Sequence, residues 1–355
     1  MVLTAPIALW VVPVSDLGGV ARHVLDVART GIPGWRLAFL TPPGALPQQV
    51  HELGAEVHER PFGPDHGLRS SVTALRDVVR RVRPDVVHTH LSYADIVAAL
   101  AVGRGPLLVT TEHGIAQDDV VYHRSSGKAR VMAVAHTARL RRFDAAIAVS
   151  EATAMAMRDK WHPRAPLTVI PNGVDSVPRP QPPTAGLRIL SLARLSPEKR
   201  LPALVDGFAC LVGEHPEATL TIAGTGPEES ALRSQVDRRE LSGSIALPGF
   251  VDPICAMAQH DVLAMLSVWE NCSYALLDAA AAGLGVVASD VGGNPELLPK
   301  TSLVDATDVV AVADALAAQG LDPAHRPGLA DWPTVAEMCA RVADVYAATA
   351  RGGRP

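Results

Sequence analysis

The chain is expected to be an α/β protein with two Rossmann-like, doubly wound parallel-sheet halves, and three observations carry that expectation. Short apolar runs alternate with helix-period stretches along nearly the whole sequence, as βα units around parallel sheets require. The alternation breaks once, over 171–186, where five prolines stand in a stretch without periodicity, as in an interdomain connection. The length of 355 residues is enough for two cores and long for one.

In the first half the strand candidates are Ile7–Val12, Leu37–Leu40, Val86–His88, Leu107–Thr110, Ala145–Val149 and Leu167–Ile170, chosen as short apolar runs. Helix-period segments lie between them at Val20–Arg29, Ser71–Val82, Ala94–Val102, Lys128–Arg142 and Glu151–Trp161. A second series follows, with strands at Ile189–Ala193, Leu220–Ala223, Ile245–Leu247, Val262–Met265, Val286–Ala288 and Leu303–Val304. Its helices are Leu201–Gly213, Glu228–Glu240, Tyr274–Ala282 and Val309–Gln319, and Asp331-Trp-Pro-Thr opens a last one near Val335–Ala350. The expected domains are 1–170 and 187–333, joined by the linker 171–186. Two such halves imply a ligand crevice at the carboxyl ends of the strands.

Composition narrows the function classes. Apolar residues make up 48% and charged residues 19%, which is globular rather than disordered. Aromatics are only 4% and the formal charge is −5, a poor match to nucleic-acid binding. The cysteines Cys210, Cys255, Cys272 and Cys339 form no C-x-x-C pair, so free thiols in a reducing, cytoplasmic setting are expected. The apolar N-terminus lacks a basic region and reads as a first strand, not a signal peptide.

The most informative stretch runs from Val268 to Glu296. It sets Glu270 in a loop, Ser273 as the cap of a helix, Asp278 inside that helix, then a strand and the turn Gly292-Gly293. A helix start has free backbone N–H groups and attracts anions, phosphate above all. A phosphate cradle with two carboxylates beside it suits a nucleotide sugar. Arg194 and Lys199 end another strand five positions apart. A diphosphate would stabilise both cations there, with Arg194 as a bidentate partner; the competing reading is a solvated basic turn.

Gly18 and Gly19 form a turn after the first strand that lets backbone approach a ligand. Neither that turn nor Gly224-Thr-Gly-Pro-Glu-Glu229 completes a dinucleotide fingerprint. His113 follows a strand end, where imidazole can donate a hydrogen bond to a sugar or serve only as a packed residue. His88 and His90 alternate on a strand and face one side. No acid or thiol at close spacing completes a zinc set with them, so no metal is expected. His88 is read as packed, His90 and Tyr93 as acceptor-side. The bases of Lys128–Arg142 read as a solvated face, or as a surface for anionic lipid at an inner membrane face.

The Val268–Glu296 segment resembles the donor-binding signature of retaining GT-B glycosyltransferases, particularly glycosyltransferase family 4. Gly18-Gly19, His113, the Val169–Asp175 heptapeptide, Arg194/Lys199, Glu270/Asp278 and Gly292-Gly293 occur in that family's order. The resemblance implies a GT-B fold whose last helix, within 334–355, crosses back onto the first domain. It implies that Arg194 and Lys199 clamp the donor diphosphate, that Gly18-Gly19 faces the donor phosphate, and that His113 is the catalytic histidine. Glu270 would bond donor sugar hydroxyls and Asp278 the ribose. Asn271, Cys272, Ser273, Tyr274, Ala275 and Leu276 would complete the donor segment, with Phe250 and Val251 near the base. Three positions depart from the pattern: Asp278 replaces glutamate, and Ser273 and Gly285 stand where proline is usual.

The expected activity is metal-independent, retaining sugar transfer from a nucleotide sugar to a hydroxyl. The departing diphosphate would take the acceptor proton on the same face of the sugar. A sugar-nucleotide epimerase, or a nucleotide-sugar-binding protein without turnover, is the alternative.

Overall fold

The computed structural model describes residues 5–115, 136–175 and 184–352, in a chain that divides into two compact units. Unit 1 is Met1–Gly173 with Pro333–Pro355, and unit 2 is Val174–Trp332.

The sheet of unit 1 contains β1 (Ile7–Val11), β2 (Arg36–Thr41), β3 (Glu56–Glu59), β4 (Val86–His90), β5 (Leu107–Glu112), β6 (Ala145–Ala148) and β7 (Leu167–Val169). Its order is β3-β2-β1-β4-β5-β6-β7, parallel throughout. The chain reverses direction of growth beside β1, so the carboxyl ends of β1 and β4 meet at a topological switch point. Alternation along β1 divides its side chains between two cores. Ala8 and Trp10 pack with helix Gly19–Thr30 and with Met338, Cys339, Val342 and Tyr346 of the last helix. Leu9 and Val11 pack with Leu75, Val78 and Val97 on the other face.

That last helix, Val335–Gly352, starts with a capping box: Thr334 Oγ1 accepts from the Glu337 amide at 3.2 Å, and the Thr334 amide donates to Glu337 Oε2 at 2.8 Å. Its start passes so close to Gly173 that a Cβ there would sit 2.5 Å from the Thr334 carbonyl oxygen. The Asn172-Gly173 pair therefore supplies room for backbone, beyond any turn preference.

Unit 2 repeats the plan with β8 (Arg188–Leu192), β9 (Thr219–Ala223), β10 (Ile245–Gly249), β11 (Val262–Met265), β12 (Gly285–Ser289) and β13 (Leu303–Val304). The order is β10-β9-β8-β11-β12-β13, again parallel. Gly285 serves more than backbone flexibility here. A Cβ at Gly285 would fall 2.5 Å from the Gln319 carbonyl oxygen, and the Gln319 side chain accepts from the Val286 amide at 3.1 Å. The family's usual proline would bring that same clash.

Elements outside the sequence expectation include β3 and the helices Ala45–Glu52, Pro253–Gln259 and Asn294–Leu297. Strand β3 is an edge strand, Glu-Val-His-Glu, with a single apolar residue. The helix at Pro253 did have a signal: Asp252 caps it through the Cys255 amide, with proline in the first turn. Among the described residues no helix is long and apolar enough to cross a membrane.

Candidate functional site

In unit 2, two of the expected donor residues, Lys199 and Glu270, meet past the carboxyl ends of β8 and β11. Lys199 Nζ donates to Glu270 Oε1 in an ion pair whose side chains are 23% and 12% exposed. Ser267 Oγ donates to the same carboxylate oxygen at 2.8 Å. Ser267 is held in turn: Ser289 Oγ donates to its carbonyl at 2.5 Å, and Asn294 Nδ2 to the Ser289 carbonyl at 2.9 Å. Ser267, Ser289 and Asn294 escaped the sequence reading, although polar residues at the ends of apolar strands were a usable signal.

Arg194 pairs with Glu198 at 2.6 Å and stays 70% exposed. Burial opposes the Glu198 charge, but hydrogen bonds from Ser196 and Arg194 outweigh it and hold that carboxyl below the usual range. Both cations thus already face acids. An incoming diphosphate exchanges these partners instead of meeting bare charge. Pro197 opens a separate 3-10 turn, Pro197–Lys199, and not the long helix, which begins at Leu201 after Arg200 in a left-handed conformation.

The glycines around this loop have steric causes. A Cβ at Gly292, where φ is +54°, would overlap the Glu270 carbonyl oxygen at 1.8 Å, and the Gly293 amide donates to that oxygen at 3.1 Å. Gly224 and Gly226 similarly admit the Ala193 and Leu195 carbonyls. The Gly-Thr-Gly turn thus supports the Arg194 loop. Gly292→Ala is expected to cost about 1–2 kcal/mol from backbone conformation alone, more with the overlap, and to raise donor KM. Denaturant melts and initial rates check both.

Ser273 occupies the N-cap of helix Tyr274–Ala281 as expected, but its hydroxyl makes no capping bond and turns to Met265 Sδ at 3.5 Å. Ser273 therefore does not act as a side-chain cap. Leu276 and Tyr274 are buried core side chains, so they can offer a ligand only backbone. Asn271 is buried, while Cys272, Ala275, Asp278 and Val251 are half-buried. Phe250 stands 75% exposed just past Gly249.

In unit 1, Gly18 and Gly19 lie exposed at the start of helix Gly19–Thr30. A Cβ on Gly18 would meet nothing within 4 Å, so packing inside the chain does not require glycine there. Deeper, the imidazoles of His23, His88 and His90 pack around Trp10, and His113 packs on His23 and His90. His88 and His90 do share a face, with ring centroids 4.6 Å apart. His23, from the helix, was missed because Ala-Arg-His-Val reads as ordinary amphipathic helix.

The hydrogen bonds fix one tautomer. Trp10 Nε1 only donates, and it donates to Tyr346 Oη at 3.0 Å. Burial raises the Tyr346 phenol well above its usual pKa, so it keeps its proton and donates to His88 Nδ1 at 2.6 Å. His88 then carries its proton on Nε2, facing Thr111 Oγ1 at 2.8 Å. His90 Nδ1 lies 2.9 Å from His113 Nε2, while His90 Nε2 is buried with no hydrogen-bond partner. An orphaned N–H is rarer than an orphaned lone pair, so Nδ1–H of His90 donates to His113. The His90 ring is fully buried, and it bears on His113. Tyr93 is half-buried, its hydroxyl 3.0 Å from Ser71 Oγ. The residue after His90, Leu91, has φ +70°, a strained conformation of the kind found at functional sites.

Tyr346→Phe would strip the partner from Trp10 Nε1 and His88 Nδ1 together. The expected loss is about 2–4 kcal/mol, read by denaturant melts.

Burial lowers all four imidazole pKa values, His23 to about 4. The unfolded chain binds the extra protons below its ordinary histidine value near 6.5. Stability should therefore fall as pH drops from about 6.5 toward 4. Melts across that range test it, and a flat profile would contradict it.

Beside the histidines is a buried charge cluster. Arg139 is 3% exposed, 2.9 Å from Glu112 and 3.4 Å from Asp95, with its guanidinium 4.7 Å over the Trp161 ring. Thr89 and Thr110 hydroxyls donate to Asp95 at 2.5 and 2.9 Å. Burial lifts the Glu112 carboxyl to about 7 despite Arg139, with Asp95 adding to the rise. Arg139 is thus no part of a solvated or lipid-facing surface. Residues 128–135 of that expected helix and the loop 116–127 lie outside the described residues.

Known proteins bear on this arrangement. Residues 17–177 match Glycosyltransferase Family 4, and residues 186–319 match Glycosyl transferases group 1. The glycogen synthase of Mycobacterium tuberculosis is 28% identical over 97% of this chain and 94% of its own length. The structure of Anabaena Alr3699/HepE in complex with UDP and glucose aligns with a TM-score of 0.75 at 22% identity, covering 98% of each chain. The sucrose-phosphate synthase of Thermosynechococcus elongatus aligns with a TM-score of 0.69 at 18% identity, covering 98% of this chain and 97% of its own. The fold is that of these GT-B structures. With both halves matched, the chain belongs to the family 4, group 1 glycosyltransferases and is a glycosyltransferase enzyme.

Proposed function

We propose that the chain moves a sugar from a nucleoside diphosphate donor to an acceptor hydroxyl, with retention of configuration and without a metal. The observation that carries the reading is the half-buried Lys199–Glu270 pair, in a loop whose Glu270 carbonyl fits against Gly292, ahead of helix Tyr274–Ala281. It pairs a cation suited to phosphate with an acid suited to sugar hydroxyls, just ahead of the start of that helix. A related fold has been solved with UDP-glucose, which supports this class of donor.

In the reaction the bond from the sugar C1 to the diphosphate oxygen breaks as the acceptor oxygen bonds to C1. The acceptor proton passes to the departing diphosphate. Arg194, Lys199 and the helix-start amides neutralise the charge that develops on the leaving group, and Glu270 orients sugar hydroxyls. Asp278 reaches about 1.5 Å less far than the family's glutamate, so it grips the ribose closely or through water. By the family's pattern, His113 hydrogen-bonds the donor sugar, with His90 fixing its tautomer. All four cysteines are free thiols, in keeping with a cytoplasmic setting.

The test is a thermal-shift panel of UDP, GDP and ADP, followed by mass spectrometry of reactions with the selected sugar donor and mixed acceptors, and NMR of the product. One diphosphate should raise the melting temperature, and its donor should yield a glycosylated product of unchanged anomeric configuration. No shift with any diphosphate, or donor converted without acceptor, would overturn the reading.

A further inference from the structure

The three histidines His23, His90 and His113 come from helix Gly19–Thr30, the end of β4 and the residue after β5. Only the fold brings them together, and one ligand nitrogen from each lies within 4.8 Å of the others. We propose that these three imidazoles bind a zinc-class divalent transition metal ion. Occupancy would withdraw His113 from sugar transfer, a consequence that rests on the reading above.

Three features favour such a ligand. The donors are all imidazole nitrogens, which select zinc and its neighbours over magnesium or calcium, whose preferred ligands are oxygens. His90 Nε2 is buried and has no hydrogen-bond partner, so one good donor atom is unused by the protein. Trp10 stacks on His23 with centroids 5.6 Å apart and lies 4.4 Å from His90, which gives the trio a rigid wall. Three protein ligands with water in the fourth place is a familiar tetrahedral set.

The fit needs a small adjustment. Nitrogens on one tetrahedral zinc stand roughly 3.3 Å apart. The 2.9 Å contact joins His90 Nδ1 to His113 Nε2, so ligation through His90 Nε2 requires the His113 ring to swing and the separations, up to 4.8 Å, to shorten. His113 is the least buried of the three, and its ring is the one with room to turn. The ion would replace the hydrogen bond between His90 and His113.

The experiment titrates the full-length, chelator-treated protein with cobalt(II) alone and then with zinc(II) as competitor. The expected result is one equivalent per chain, with the intense visible bands of four-coordinate cobalt that zinc abolishes. His23→Gln and His90→Gln should each weaken binding at least about tenfold, whereas His162→Gln, on the exposed surface, should titrate as wild type. Should either variant fold poorly by circular dichroism, a zinc-dependent, chelator-reversible rise in wild-type Tm supplies the same answer. A cobalt spectrum unchanged from the aqueous ion, or equal binding in all variants, would overturn the site. Zinc that binds without slowing transfer would leave the site standing and count against the role of His113 in the reaction.

Discussion

Lys199→Ala is expected to lower turnover at saturating donor by about 10²–10³-fold, the usual consequence of removing one preorganised group from a developing anion. The expectation comes from where Lys199 sits. It is paired with Glu270 and 23% exposed, so it is neither a mobile surface cation nor sealed in a core. As the diphosphate leaves, its negative charge grows and the lysine's contribution grows with it, which makes the effect one on kcat. A lysine that merely anchors Glu270 would change KM and leave kcat alone. Steady-state rates over a range of donor concentrations separate the two. Lys199→Arg should restore part of the rate, since charge is kept but a planar fork replaces a point.

The largest effect on stability is expected from Arg139→Met, at about 3–5 kcal/mol. Removing the guanidinium leaves Asp95 and Glu112 buried without a counter-charge in the same cluster. The loss should depend on pH in a definite direction. Glu112 has its folded pKa raised to about 7 from an ordinary value of 4.5, so between those values the native state holds a proton that the unfolded state has released. That contribution favours folding more as pH falls from about 7 toward 4.5. Without Arg139 both carboxyls protonate more readily in the native state. The gap between wild type and variant should therefore be widest near pH 8 and narrow on acidification. Urea melts at several pH values check it, and a pH-independent gap would contradict the charge account.

Much of the architecture was legible because apolar runs and helix periods follow from burial alone. Strands such as Val262–Met265 lie between two covered faces, and their composition says so. Strand β3 fails that test because an edge strand of Glu-Val-His-Glu buries almost nothing. The Lys199–Glu270 pairing was anticipated only as membership of one site, through motif order; the bond itself depends on contacts 71 residues apart. Arg139 looked like a surface base because neighbouring basic residues set the local pattern. Its burial depends on Asp95 and Glu112, which arrive from other elements. His23 and Tyr346 were hidden for the same reason: the Trp10–Tyr346 hydrogen bond spans 336 positions. Gly292 could be read as a turn, but not as the gap that receives the Glu270 carbonyl.

The central claim is that unit 2 holds a nucleotide sugar through Lys199, Arg194 and Glu270. Its most direct measurement is a calorimetric titration of the selected nucleoside diphosphate into wild type and into the Arg194→Ala/Lys199→Ala double variant. The account predicts one site in the wild type and at least about a hundredfold weaker binding, near 2.7 kcal/mol, in the variant. Equal affinity in the two proteins would contradict it.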